Sequence, residues 1–129
     1  MKGDQLKART RQFALDVIRL VALLGHDDFA QTARPQLLRA ATGVAANYRG
    51  ACRSRSGREF ASRLAVVVEE SDESELWLDF CVELGYGPRD VTLRLQQEAL
   101  ELRDISAKSR STTLRGLREK RRKPGNGRT

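Results

Sequence analysis

Proline placement is the strongest constraint on the fold of this 129-residue chain. There are three, Pro35, Pro88 and Pro124. A proline is tolerated in the first turn of a helix and breaks its interior, so these three punctuate long stretches that are free to be helical. Apolar residues in those stretches recur at steps of three and four, the spacing of one helix face. Leu6, Phe13, Val17, Leu20, Val21 and Leu24 form the first such face, and Gly25 closes it. A second begins near Thr32 to Pro35 and runs through the small residues Ala40, Ala41, Gly43, Ala45, Ala46, Gly50 and Ala51. Ser56, with Glu59 three residues on, has the form of a capping box that opens a third. Phe60, Leu64, Val67, Ser71, Ser74, Leu78 and Cys81 make its stripe, broadened by Val68, Trp77, Phe80 and Leu84. Pro88 opens a fourth, carried by Val91, Leu95, Leu102 and Ile105 and widened by Leu93, Ala99 and Leu100.

These patterns predict helices over 4–24, 33–53, 57–84 and 88–113. No stretch alternates with the period of two that a strand requires. The expected fold is all-α, an up-down-up-down antiparallel four-helix bundle over residues 1–113, one domain by length. Gly43 and Gly50 inside the small-residue helix each cost about 1 kcal/mol against alanine, which implies that a neighbour packs close to them.

Charge is distributed unevenly. The net charge is +7, from 24 Lys and Arg against 17 Asp and Glu, but residues 114–129 alone hold seven cations and one acid, or +6, which leaves +1 for residues 1–113. Residues 49–63 carry five arginines and Glu59, whereas residues 69–83 carry seven acids and no base. Residues 114–129 read as a basic, disordered tail suited to polyanions. The expected phosphate contacts are Arg115, Arg118, Lys120, Arg121, Arg122 and Lys123 in the tail, with Arg49, Arg53, Arg55 and Arg58 near the turn between the second and third helices. A guanidinium fork matches phosphate oxygens. No aromatic interleaves the basic run, which argues against base readout. Arg39, Asn47, Glu69 and Glu73 are expected to serve helix or subunit pairing.

Several function classes lose their footing here. The acids of the third helix invite a di-metal reading, but bundle di-iron sites also need Glu-x-x-His on two helices, and the single histidine, His26, falls in a loop. Cys52 and Cys81 form no CxxC, and no P-loop, Rossmann or zinc-peptidase motif is present. No metal, cofactor or catalytic residue is expected, and the protein is read as a non-enzyme. The segment MKGDQLKARTRQF lacks the apolar run of a signal peptide, and no stretch reaches the roughly 18 apolar residues of a membrane span, so the expected location is cytoplasmic, away from membranes.

The block RAATGVAANYRGACRSRSGREF, followed by a long acidic-apolar helix, resembles the bacterial four helix bundle protein family, first noticed as reading frames within intervening sequences of large-subunit ribosomal RNA genes. The resemblance lies in Arg39-Ala40-Ala41, Asn47, Arg53-Ser54-Arg55-Ser56, Glu59-Phe60 and Glu73. Arg49-Gly50 stands where that family shows Ala-Glu, and Glu69-Glu70 where it shows Gly-Ser. The resemblance implies a bundle assembled as a homopentameric ring. Through more distant accessory proteins of diversity-generating retroelements, it also implies RNA or DNA binding and docking of a reverse transcriptase. The functional expectation is an oligomeric nucleic-acid-binding adaptor. The competing one is a protein scaffold whose charges serve assembly, with no nucleic-acid role.

Overall fold

The computed structural model describes residues 3–122. Four helices follow one another: α1 (Gly3–Val21), α2 (Asp28–Ala51), α3 (Gly57–Leu84) and α4 (Arg89–Arg122). Each packs against its two neighbours around a square, α1 on α2, α2 on α3, α3 on α4 and α4 back on α1, while the diagonal pairs stay apart. This is the expected up-down-up-down bundle. The core is a column of fully buried side chains drawn from all four helices, among them Val17, Leu37, Leu64, Leu78, Leu95 and Leu102.

The cap chemistry explains where the helices begin. Asp27 accepts the amide of Ala30 at 2.9 Å and starts α2 at Asp28, earlier than Pro35 suggested. Burial of Ala30 and Ala33 holds that first turn in the core, and Pro35 lies exposed inside the helix. Helix α1 stops at Val21 rather than Leu24. Leu24 remains buried, reached through a turn in which its amide bonds Val21. Ser56 caps α3 by accepting the Glu59 amide at 3.1 Å, and Glu59 answers at the Arg55 amide, one residue before the position a reciprocal capping box would use. Gly85 ends α3 in the left-handed region, φ +78°, with Tyr86 N–H bonding the Cys81 carbonyl at 2.8 Å.

The α3–α4 seam is the most extensive. Its residues are small: Ser71, Ser74, Ala99 and Ser106 are fully buried. Ser74 bonds the Glu70 carbonyl at 2.8 Å, whereas the hydroxyls of Ser71 and Ser106 have no partner among the described residues. A buried hydroxyl without a partner carries a desolvation cost, which the close helix approach must offset. The α1–α4 seam is the least extensive, and ions stitch it. Arg9 reaches Glu98 at 2.7 Å and Glu101 at 2.6 Å, and Arg94 reaches Asp16 at 3.5 Å.

The largest departure from expectation lies at the chain's end. Residues 114–122, expected to be disordered, continue α4 to Arg122. Leu114 and Leu117 extend the inward stripe and are half-buried, and Leu117 lies so near Gly57 that a methyl there would stand 3.3 Å from it. Basic residues in the last turn also favour the helix, because the carbonyl end of its dipole is negative. Lys123 and the rest of the expected tail, to residue 129, lie outside the described residues.

Candidate nucleic-acid interface

In this topology the start of α1, the end of α2, the start of α3 and the end of α4 share one end of the bundle. Gly3, Asp4, Tyr48, Cys52, Gly57 and Ser109 line a single depression there. Counting residues 3–12, 46–63 and 106–122 as that end, it holds 15 lysines and arginines against three acids, or +12. The remainder, residues 13–45 and 64–105, holds six cations against 14 acids, or −8. Three sequence segments that look unrelated thus form one strongly basic pole.

Leu117 is level with the first residue of α3, so Arg118 to Arg122 overhang it by about 8 Å at 1.5 Å per residue. Under this ledge Arg58, Arg118, Lys120 and Arg121 surround Leu114 and Leu117 in one shallow groove. Arg58 also borders a second groove, where Asn47, Ser56, Ser62 and Arg63 meet Glu59 and Val66 between α2 and α3. A third, between α1 and α2, sets Lys7, Arg11 and Arg49 around a floor of Ala14, Ala45 and Ala46.

Of the expected phosphate contacts, the structure therefore gathers Arg58 with Arg118, Lys120 and Arg121. Arg49 stands apart on the α1–α2 face. Arg53 is exposed in the loop after α2, Arg55 faces Glu59 at 3.8 Å while almost fully exposed, and Arg115 and Arg122 are exposed on α4. Arg49, Arg53, Arg58, Arg118, Lys120 and Arg121 have no acidic partner within bridging distance among the described residues. Lys7, Arg11, Lys108 and Arg110 were missed as contributors. The up-down topology alone places the start of α1 beside the end of α2, and that signal could have found Lys7 and Arg11.

The pairing residues are only partly joined. Arg39 faces Glu73 across α2 and α3 at 3.8 Å, an exposed pair of small energetic weight. Asn47 donates to the Gly43 carbonyl of its own helix at 2.8 Å rather than to a neighbouring helix. Glu69 is exposed, with no cation in reach among the described residues. The glycines of α2 answer to α3 side chains. The carboxylate of Glu70 lies over Gly43, and a methyl on Gly50 would stand 2.7 Å from the Arg63 guanidinium. Both pairs are seven residues apart, so two turns of α2 receive two turns of α3. Burial, with Glu73 and Glu69 nearby, raises the Glu70 pKa, and Arg39 opposes that rise.

Other titrating groups are structural in setting. Burial pushes the Tyr48 hydroxyl up to about 12 and the Cys81 thiol up to about 11, leaving both neutral near pH 7. Cys52 ends α2, 24 residues from its start, and His26 precedes that start, so the two lie at opposite ends of the bundle. Among the described residues no group of three His, Cys, Asp or Glu side chains could hold a metal ion, and no helix is long and apolar enough to cross a membrane.

Residues 5–108 match the model of a family described as 23S rRNA-intervening sequence protein. The chain belongs to the 23S rRNA-intervening sequence protein family. That match covers the bundle and stops short of the overhang. A crystal structure of a protein of unknown function from the S23 ribosomal protein family of Bacteroides thetaiotaomicron shares the fold. It has a TM-score of 0.76 and 23% identity, covering 86% of this chain and 99% of that one. No curated protein matches the chain. The four-helix architecture of this family member therefore has a solved counterpart, and the ledge formed by Arg118 to Arg122 lies outside the family match.

Proposed function

We propose that this protein binds RNA through its basic pole, by phosphate contacts and without catalysis. The observation that carries the reading is the convergence of Arg58 with Arg118, Lys120 and Arg121 on one ledge, none of them neutralised by an acid. Membership of a family named for intervening sequences of 23S rRNA favours RNA as the polyanion. Phosphate contacts release counterions, so affinity should fall steeply with salt. The groove offers apolar leucines and cations but no exposed aromatic, which suits backbone contact better than base stacking. No feature of the described residues favours the reverse-transcriptase docking that the resemblance implies, and it forms no part of the proposal.

The test is a salt titration of binding to a structured RNA by the full chain and by a variant with Arg58, Arg118, Lys120 and Arg121 all changed to Gln. Each lost contact should flatten the log–log slope by about 0.7 to 0.9. Equal affinity and equal slope in the two proteins would refute the assignment.

A further inference from the structure

Exposed apolar side chains are ordinary when they occur singly, but α3 presents three in register. Leu76, Phe80 and Leu84 are spaced four residues apart on the solvent face and are 45%, 37% and 61% exposed. They oppose Ser74, Leu78 and Cys81, which fill the core from the other side of the same helix. The stripe has a firm backing. Phe80 meets Trp77 edge-on at 5.6 Å, Trp77 lies 6.3 Å from Phe29, and Phe29 lies 4.7 Å from Tyr86. Phe80, so braced, loses little freedom when covered.

The charge on the stripe's own helix is of one sign, while Arg39 of α2 and Arg89 and Arg103 of α4 reach its edges. Glu69, Asp72 and Glu83 share the exposed face, and from Leu64 to Leu84 the helix contains no Lys or Arg. Asp72 is engaged by Arg103 at 2.8 Å, whereas Glu69 and Glu83 have no cation in bridging distance among the described residues. From Glu69 to Leu84 the face is about 22 Å long, four helical turns. Such a surface repels nucleic acid and acidic helices. An apolar helix without charge would leave both glutamates unpaired at its rim.

We propose that this face docks a cationic amphipathic helix from a partner protein, whose apolar residues cover Leu76, Phe80 and Leu84 while its lysines or arginines meet Glu69 and Glu83. This is the helix-on-face mode, read by anchors at i, i+4 and i+8. Its location, on the acidic remainder of the molecule, leaves the basic pole free for RNA. The protein would then join a polyanion at one end to a basic helix at the other.

The test uses the full chain and two fluorescent 18-residue peptides of identical leucine and lysine content. One has its leucines on a single helical face; the other has them dispersed around the helix. Anisotropy at physiological salt should show the amphipathic peptide binding at least tenfold more tightly than the dispersed one, with a change in Trp77 emission. The double variant Leu76→Ser/Phe80→Ser should lose at least tenfold, and Glu69→Gln/Glu83→Gln should lose several-fold together with most of the salt dependence. If the melting temperature shows that Phe80→Ser loosens Trp77, Leu76→Ser/Leu84→Ser takes its place. Equal binding of the two peptides, or unchanged binding by the serine variant, would overturn the proposal. A fall in light-scattering mass on introducing the serines would assign the face to a second copy of this chain and overturn it equally.

Discussion

At the basic pole, every described cation except Arg9, held by Glu98 and Glu101, and Arg55, which faces Glu59, stands without an acid to neutralise it. Around the middle and the far end, four of the six cations are matched: Arg19 and Arg94 with Asp16, Arg103 with Asp72 and Asp104, and Arg39 with Glu73. The far end also holds the ring cluster of Phe29, Trp77, Phe80 and Tyr86, whereas the basic pole contributes only the buried Tyr48 and half-buried Phe60. The difference shows how one fold separates two uses of charge. Where a charge is paired across a seam, it helps to position helices. Where like charges gather at an end and remain unpaired, the fold carries their repulsion, and a polyanion would relieve it.

Four variants would break or sharpen this contrast. The largest effect should come from neutralising Arg58, Arg118, Lys120 and Arg121 together. RNA affinity at low salt should fall by at least about 100-fold, or roughly 2.7 kcal/mol, while the melting temperature holds or rises as repulsion is removed. Next is Arg9→Met, which leaves Glu98 without its partner at the thin α1–α4 seam. Chemical denaturation should show a loss of about 1–2 kcal/mol, limited by the partial exposure of the pair. RNA affinity should fall far less than in the fourfold variant.

Smaller again is Leu117→Ala. It should cost about 1 kcal/mol or less and act locally, with faster amide exchange over 114–122 and near-normal protection of Leu95 and Leu102. The least effect is expected of Glu70→Gln. The Glu70 pKa is raised in the fold, so ionisation works against folding. Its stability is fully present below the unfolded pKa and is lost as pH rises through the folded one. The Gln variant should therefore melt slightly higher than the natural protein at neutral pH, and the gap should close in acid.

Much of the fold was legible because burial imposes a period. Six of the seven α3 stripe residues are buried, with Ala61 taking the place of the half-buried Phe60. The ends were harder. Pro35 reads in sequence as a helix beginning, whereas the Asp27 cap and the packing of Ala30 and Ala33 carry α2 back to Asp28. Leu114 and Leu117 continue the period of α4, but the dense cations around them masked it. The candidate site was half legible. Its residue types stood in the sequence, yet the meeting of Arg58 with Arg118 depends on α3 and α4 running antiparallel with Leu117 against Gly57, a register that no local pattern encodes. Asn47 looked like a link between helices because its type suits that role. The Gly43 carbonyl beside it was simply nearer.

The weak α1–α4 seam has a consequence for how the chain is made. Of these four helices α1 leaves the ribosome first, and one of its two neighbours, α4, leaves after the other three. Domains tend to fold as units during synthesis, but the ion-stitched side of this one cannot close until Glu98 and Glu101 have emerged. Until then α1 can pair only with α2, and the groove that α4 will fill stays open to water and to chaperones. Translation speed through residues 89–122 would thus set how long this bundle stays unfinished.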